Sequence, residues 1–367
     1  MSDSRRHWVA SLGLSHFRSH RATNLAFTGG IVAIHGPNGS GKTNLIEAIS
    51  LLSPGRGMRR AAAEEIIRKP EAIGWRILAG VQADHIHDVE LRAEPGQPRT
   101  TRIDEKTAPQ LALGRLVRVL WLVPSMDRLW LEGAEGRRRF LDRMTLSFDP
   151  HHGEGALRYE KAMRNRNRLL KDGVQDAHWY DALEAQMAAE GAAIMDRRQS
   201  ALVRLTAAQP TDGPFPAATL ALSDGDAPAT EGELVQAFAR NRRADMAAGR
   251  SLIGPHRTDL RGTYAAKDME ARLCSTGEQK ALLISLILAN ARALKADTGI
   301  APILLLDEVA AHLDANRRAA LYQELSDLGG QAFLTGTGPD LFTELRDDAQ
   351  HLSVSDDHGE SKITEVP

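Results

Sequence analysis

The most specific chemistry in the chain sits in eight consecutive residues, Gly36-Pro37-Asn38-Gly39-Ser40-Gly41-Lys42-Thr43. They fit the phosphate-loop pattern at every specified position. Glycines there let backbone N–H groups curl around phosphate oxygens, and a helix starting at the loop presents its positive end to the same charge. Lys42 would reach the outer phosphates of a nucleotide, and the Thr43 hydroxyl would ligate Mg²⁺. The flanks agree with this reading. Gly30–His35 is a short apolar, β-branched run of buried-strand type, and Leu45, Ile46, Ile49 and Leu52 recur at helical spacing.

A phosphate loop by itself fits kinases, GTPases, helicases and transport ATPases alike. Ile303-Leu304-Leu305-Leu306-Asp307-Glu308 narrows the choice. A buried strand there delivers Asp307 to a Mg²⁺ shell and places Glu308 to polarise an attacking water. Between these elements lies Cys274-Ser275-Thr276-Gly277-Glu278-Gln279-Lys280, directly before a predicted helix. The Ser275 hydroxyl, the Gly277 N–H and the helix N-terminus can face a γ-phosphate. Ser275 or Thr276 can equally cap the helix, with Glu278 in its first turn, and both uses draw on the same orphan donors.

The elements that position these residues form a chain of 367 residues, which at roughly 150 residues per domain suggests two domains. Hydrophobic residues at 42% and charged residues at 26% exclude a disordered or fibrous polypeptide. The single cysteine, Cys274, forbids an intrachain disulfide and a cysteine-based zinc site, which suits a reducing cytosol. After Arg5, Arg6 and His7 no apolar export segment follows, and the longest apolar runs fall short of the ~20 residues that cross a bilayer. The expectation is a soluble cytoplasmic protein without a membrane partner. Residues 8–35 and 75–121 read as strand-rich. The stretches 156–170, 176–209 and 233–248 read as helical, joined by a Pro/Gly/Ala/Thr-rich connection over 210–232. This predicts an ATPase part over 1–154, a helical insertion over 155–250, and a C-terminal ATPase part over 251–367. Residues 340–367 carry eight acids against Arg346 and Lys362, a polar, acidic tail of net −6 in a chain of net −2.

A Ser-x-Gly-x-Gln segment ahead of the acidic strand, with Ala311-His312-Leu313-Asp314 after it, resembles the ABC-type ATPase head. Within that superfamily the chain resembles the RecF family of DNA-repair proteins over most of its length. The likeness rests on Leu14-Ser15-His16-Phe17-Arg18, Gly36–Ser53 with Pro54-Gly55-Arg56-Gly57, and Arg137-Arg138-Arg139-Phe140-Leu141-Asp142. It continues in Tyr159-Glu160-Lys161, Arg166-Asn167, Gly254-Pro255-His256-Arg257-Thr258-Asp259-Leu260, Ser275–Ala289 and Leu304–Asp314. The resemblance implies an α/β fold, a P-loop core with a β-rich N-terminal part and an inserted helical lobe. It also implies a weak cytosolic ATPase whose ATP-bound form dimerises on gapped, single-stranded or junction DNA. Ser275–Gln279 of one copy would close over ATP held by the other, with Asp314 and Thr335 at the switch. RecO and RecR would be partners in loading RecA, with a link to the SOS response. Two departures stand out: Thr335 occupies the place where many ABC heads carry a histidine, and no Q-loop glutamine is evident, Val123–Asp127 being the nearest segment. Both point to slow hydrolysis, a switch more than a motor.

DNA affinity in a chain of net −2 must come from local clusters. Arg158, Lys161, Arg164, Arg166, Arg168 and Lys171 oppose only Glu160, and positions 161, 164, 168 and 171 share a helical face. Arg56 with Arg59 and Arg60, Arg137–Arg139, and Arg240 with Arg242 and Arg243 are further clusters. Each could instead be a solvated face or an internal partner for acids. With aromatics at 5%, backbone-led binding is expected over base stacking. His85 with His87, and His151 with His152, show no carboxylate spacing that completes a ligand set, so no metal beyond Mg²⁺ is expected. His256 and Arg257 read as a nucleotide, DNA or dimer contact or as a structural turn, and Cys274 as a packing residue. The competing functions are the ATPase subunit of a membrane transporter and a nucleotide-dependent scaffold with negligible turnover.

Overall fold

In the computed structural model, residues 6–210, 212–223, 228, 230–345 and 349–366 are described. The chain opens with β1 (Trp8–Phe17), β2 (His20–Ala26) and β3 (Ile31–His35), which leads through the glycine-rich loop into α1 (Lys42–Ser50). A helical turn, α2 (Ala63–Ile66), precedes β4 (Trp75–Gln82), β5 (Ile86–Ala93), β6 (Thr100–Ile103), β7 (Lys106–Thr107), α3 (Leu113–Leu116) and β8 (Val119–Leu122). The middle contains α4 (Ala134–Phe148), α5 (His151–Lys171), α6 (His178–Ala207), β9 (Ala218–Ser223), α7 (Glu231–Ala248), β10 (Asp259–Tyr264) and β11 (Met269–Glu270). The last part comprises α8 (Thr276–Thr298), β12 (Ile303–Leu306), α9 (Ala315–Leu328), β13 (Ala332–Gly336), β14 (Ala349–Asp357) and β15 (Glu360–Val366).

These elements form two compact units, one of residues 1–127, 210–216 and 276–367, the other of 128–209 and 217–275. In the first, one six-stranded sheet runs β2-β1-β4-β5-β6-β7 with antiparallel pairings, and the other runs β15-β14-β3-β13-β12-β8. In the second sheet β14, β3, β13, β12 and β8 are parallel, and only β15 is antiparallel. Strands covered on both faces must be apolar, and β8 (VLWL), β12 (ILLL) and the buried part of β3 ahead of His35 (IVAI) are. Helix α8 is buried on nearly every side, which explains why its leucines and isoleucines show so little amphipathic bias.

The second unit is wider than the 155–250 insertion expected from composition, because α4 packs on α5, α6 and β10, and β10 pairs with both β9 and β11. Its helices α5, α6 and α7 bury Tyr159, Met187, Ile194, Leu234 and Phe238 together. Arg166 lies at the centre, fully buried, donating to Glu184 at 3.0 Å, Asp245 at 2.7 Å, Ser251 at 2.8 Å and the Phe238 carbonyl at 3.2 Å. Arg166 therefore does not belong to the basic surface in which its sequence neighbours placed it. Truncating it removes the buried guanidinium that balances Glu184 and Asp245, leaving Glu184 to Arg242 and Asp245 to the uncharged donors Asn241 and the Leu252 N–H, an effect of up to ~3–5 kcal/mol. Arg166→Ala should lower the unfolding free energy by up to that margin, read as a fall in the urea midpoint, and Arg166→Lys, lacking the planar fork, should rescue it only in part. An unchanged midpoint would show that the network contributes nothing.

Candidate functional site

Three neighbouring parallel strands end side by side in the first unit. The register pairs Gly336 with His35 and Thr335 with Ile34 across β13 and β3, and Leu306 with Leu334 across β12 and β13. The residues that follow each strand thus emerge at one sheet edge, the crevice at which open α/β sheets bind ligands. From β3 comes the glycine-rich loop. Gly36 and Gly41 have φ of 154° and 106°, and a side chain at either would collide, with the Val354 carbonyl and with the Ser361 hydroxyl respectively. Lys42 folds back to donate to the carbonyls of Gly36 at 2.7 Å and Pro37 at 2.9 Å. Burial lowers the pKa of Lys42, against the opposing pull of Glu308 and Asp307. The Ser40 hydroxyl is buried without a hydrogen-bond partner.

From β12 come the two acids. Asp307 Oδ1 accepts from the Thr43 hydroxyl at 3.0 Å and from the Thr335 hydroxyl at 2.7 Å, and the Asp307 N–H donates to the Leu122 carbonyl of β8 at 2.9 Å. Burial raises the Asp307 pKa, and the two hydroxyls work in the other direction. Glu308 is half-buried with φ of 53°, a left-handed conformation that a side chain adopts only at a cost of order 1–3 kcal/mol. Its N–H is held by the Thr335 oxygen at 2.9 Å. Thr335, expected at the switch, is fully buried, and its hydroxyl bonds both Asp307 and the Glu308 N–H. A hydroxyl and a carboxylate oxygen 3.0 Å apart at the foot of the loop are the donor set of a hard divalent cation such as Mg²⁺.

The remaining expected residues divide. Ser275, Thr276 and Gly277 are exposed at the start of α8, Glu278 is half-buried and Gln279 is buried. Asp314 is exposed and caps α9, accepting from the Arg317 N–H at 2.9 Å. In the Val123–Asp127 segment, Asp127 pairs with Lys280 of α8 at 3.3 Å. Sequence reasoning missed the support behind the loop. The expected acidic tail contains two strands, β14 on β3 and β15 on β14, with Leu352 and Val354 buried; Arg346, Asp347 and Asp348 lie outside the described residues. The Ser361 hydroxyl donates to the Ser40 carbonyl at 2.5 Å, and Arg68 holds the carbonyls of Ser19 and Gly359, both at 2.9 Å. Beneath the loop, His20 is fully buried between Thr23 and the Gly41 carbonyl.

The basic clusters also divide. In the second unit Lys161, Arg164, Arg168 and Lys171 are exposed along α5, and Arg240 and Arg243 are exposed on α7. Arg158 is engaged by Glu190, and Arg242 by Glu184 and Asp181. Arg137 grips Asp259 through two bonds of 2.8 Å, Arg138 donates to the Thr258 carbonyl at 2.9 Å, and Arg139 pairs with Glu135. Asp142 receives Arg198, which also donates to the Pro255 carbonyl at 2.7 Å. The Arg137–Asp142 and Gly254–Leu260 motifs are thus two halves of one internal network, so Arg137 and Arg138 are withdrawn from the DNA surface. Gly254 lets the Tyr159 hydroxyl approach, and His256 is held by that hydroxyl at 2.8 Å and by the Ser251 carbonyl at 3.0 Å. His152 is buried against Asp142 at 2.9 Å. In the first unit Arg59 donates to Asn44 at 2.8 Å and to the buried Glu47 at 3.1 Å, while Arg56 and Arg60 are exposed.

A parallel core that delivers a phosphate loop, a paired-acid strand and a Ser-x-Gly-x-Gln helix start defines an ABC-type ATPase head. Comparison with known proteins narrows this class. Residues 8–358 match the RecF/RecN/SMC N terminal domain family. The chain is 50% identical over 364 residues to the DNA replication and repair protein RecF of Brucella abortus, covering 95% of this chain and 94% of that protein. It is 47% identical over 375 residues to its namesake from Mesorhizobium japonicum, covering 97% and 98%. Its fold is similar to a solved structure of the recombination mediator protein RecF-ATP in the RecFOR pathway, with a TM-score of 0.84 over 98% of both chains at 23% identity. The chain belongs to the RecF family, which sets aside the transporter-subunit reading. No helix among the described residues is long and apolar enough to cross a membrane.

The His20 environment generates a pH prediction. Burial lowers its pKa from the ordinary 6.5 to about 4. Between those values the unfolded chain binds the proton and the folded chain does not, so stability falls as pH drops through 6.5 and the loss is complete near 4. The gap from 6.5 to about 4 corresponds to ~3 kcal/mol. His20→Gln should flatten this segment of the stability curve while leaving the plateau above pH 7 in place; denaturant unfolding at stepped pH measures it.

Proposed function

We propose that this protein is a cytoplasmic ATP-binding protein of DNA replication and repair that works as an ATP-gated dimer on DNA. The observation that carries the reading is the continuous chain from Thr43 through Asp307 and Thr335 to Glu308. It joins the phosphate loop to the acidic strand through three contacts of 3.0 Å or less. Residues Gly36–Thr43 hold the triphosphate, and Lys42 exchanges the carbonyls of Gly36 and Pro37 for phosphate oxygens. Thr43 and Asp307 hold Mg²⁺, which supplies charge neutralisation at the phosphates. Glu308 takes the proton of the attacking water, and Thr335 keeps both acids in place. Because Ser275, Thr276 and Gly277 are exposed, they are available to a second copy, whose loop-bound ATP they would cover with Glu278 and Gln279 behind them. Asp314 stands ready at the same switch. Nucleotide then acts as dimer glue, since it contacts both copies only when they are closed. Turnover is slow and serves to release the dimer. Membership of the RecF family supports cooperation with RecO and RecR in loading RecA at gapped, single-stranded or junction DNA, and a part in the SOS response.

Solution mass with ATP and Mg²⁺, with ADP and without nucleotide tests the gating. Lys42→Ala should lose ATP binding and dimerisation together. Glu308→Gln should keep both and lower phosphate release by ~100-fold or more. Equal loss of binding in the two variants would remove the assigned roles.

DNA would lie along Lys161, Arg164, Arg168 and Lys171 of α5, with Arg240 and Arg243 of α7 as further contacts and Arg56, Arg59 and Arg60 as weaker ones. Binding would be to phosphates and only weakly dependent on sequence. In Lys161→Glu/Arg168→Glu, affinity should drop uniformly across DNA sequences, and the slope of log affinity against log salt should shrink by about 2. A slope equal to that of the parent protein would place the DNA elsewhere.

A further inference from the structure

Two turns in the first unit bring together side chains that the sequence keeps apart. The connection between β4 and β5 carries Asp84 and His85, His87 follows at the start of β5, and the turn between β6 and β7 carries Asp104, which the antiparallel pairing of β5 with β6 brings alongside. Asp104 is fixed in place: its Oδ1 accepts the Asp88 N–H at 3.0 Å, and its backbone N–H donates to the Asp88 carbonyl at 2.9 Å. Its Oδ2 accepts from His87 Nδ1 at 2.7 Å. That contact leaves His87 Nε2 turned toward Asp84 Oδ1, 3.0 Å away, while His85 Nδ1 lies 3.2 Å from Asp84 Oδ2. The two imidazole rings lie 3.9 Å apart, centre to centre. One ligand atom from each of Asp84, His85 and His87 falls within 4.8 Å of the others.

We propose that Asp84, His85 and His87 bind a divalent transition-metal ion of the Zn²⁺ class, with Asp104 holding His87 in the tautomer that offers Nε2. Ligands about 2.0–2.1 Å from a tetrahedral zinc stand about 3.4 Å from one another, so with His87 half-buried and held by Asp104 the present spacings need only rotations of the exposed Asp84 and His85 side chains. Two imidazoles and one carboxylate select Zn²⁺, Ni²⁺ or Cu²⁺ over Mg²⁺ or Ca²⁺, and a water completes the fourth position. A carboxylate that accepts from the far nitrogen of a metal-bound histidine is the usual outer partner of such sites. Without it the contacts would amount to exposed ion pairs, which contribute little to stability. The metal occupies the Nε2 lone pair, any second proton on the His87 ring leaving to solvent, and Asp104, bonded to Nδ1, braces the metal-bearing tip of the β4–β5 hairpin against the neighbouring turn. No residue of the phosphate loop or the acidic strand takes part.

The test is titration of the full, chelator-stripped chain with Zn²⁺ in competition with a chromogenic chelator, without nucleotide. One tight equivalent is expected in the parent protein and in His358→Ala, an exposed histidine outside the cluster. It should be absent in His87→Ala and in the more conservative surface change His85→Ala. Asp104→Asn should keep the equivalent but bind it ~10–100-fold more weakly. Anomalous diffraction at the zinc edge should place the ion between Asp84, His85 and His87. An equivalent that survives both histidine changes, an ion located elsewhere, or no tight equivalent in the parent protein overturns the site. Parent-like affinity in Asp104→Asn overturns the role given to Asp104.

Discussion

Everything at the candidate nucleotide site depends on the parallel register of β3, β13 and β12. Parallel strands in register end at the same level, so the loop after β3, the hydroxyl at the end of β13 and the acids after β12 meet without any long-range adjustment. The cost of that convergence is visible in the backbone and the charges. Glu308 is held in a left-handed conformation, and Asp307 is an acid whose ionisation burial opposes. Both are tolerated because Thr335, rigid and fully buried, satisfies them from behind. Strain and desolvation of this kind persist where the surroundings over-determine a conformation.

The second unit applies the same electrostatics to a different end. Arginines that look alike in the sequence separate into those enclosed with carboxylates and those left in water. Arg166 and Arg198 lie in buried networks and Arg137 is locked bidentately to Asp259, whereas Lys161, Arg164, Arg168 and Lys171 of α5, with Arg240 and Arg243 of α7, stay exposed where a phosphate backbone could meet them. A buried guanidinium needs every donor matched, which is why these arginines collect backbone carbonyls as well as acids. The Arg137–Asp142 and Gly254–Leu260 motifs therefore meet in one internal network that builds the unit.

Behind the phosphate loop, the C-terminal strands act as a wall. Alternation in β14 hides Leu352 and Val354 between His351, Ser353 and Ser355, and its acids, Asp356 and Asp357, are exposed at the strand's end, so composition alone suggested a polar, acidic tail. Gly36 and Gly41 owe their identity partly to this wall, which leaves no room for a Cβ at either position. The loop's glycines thus answer to two demands, phosphate access on one side and close packing on the other.

Local pattern was enough to reveal the phosphate loop, the acidic strand, the helix start at Ser275 and the helical middle, because each is written in contiguous residues with a definite period or spacing. The resemblance to the RecF family was equally legible, since its motifs are contiguous too. What no local pattern could show was which distant groups share a contact. Thr335 as a support, Arg137 bound to Asp259, Ser361 bound to the loop and Asp104 beside His87 all follow from strand pairing and burial. Pairing and desolvation are properties of the assembled sheet and core, and so the partner of each charge was decided only by the tertiary structure.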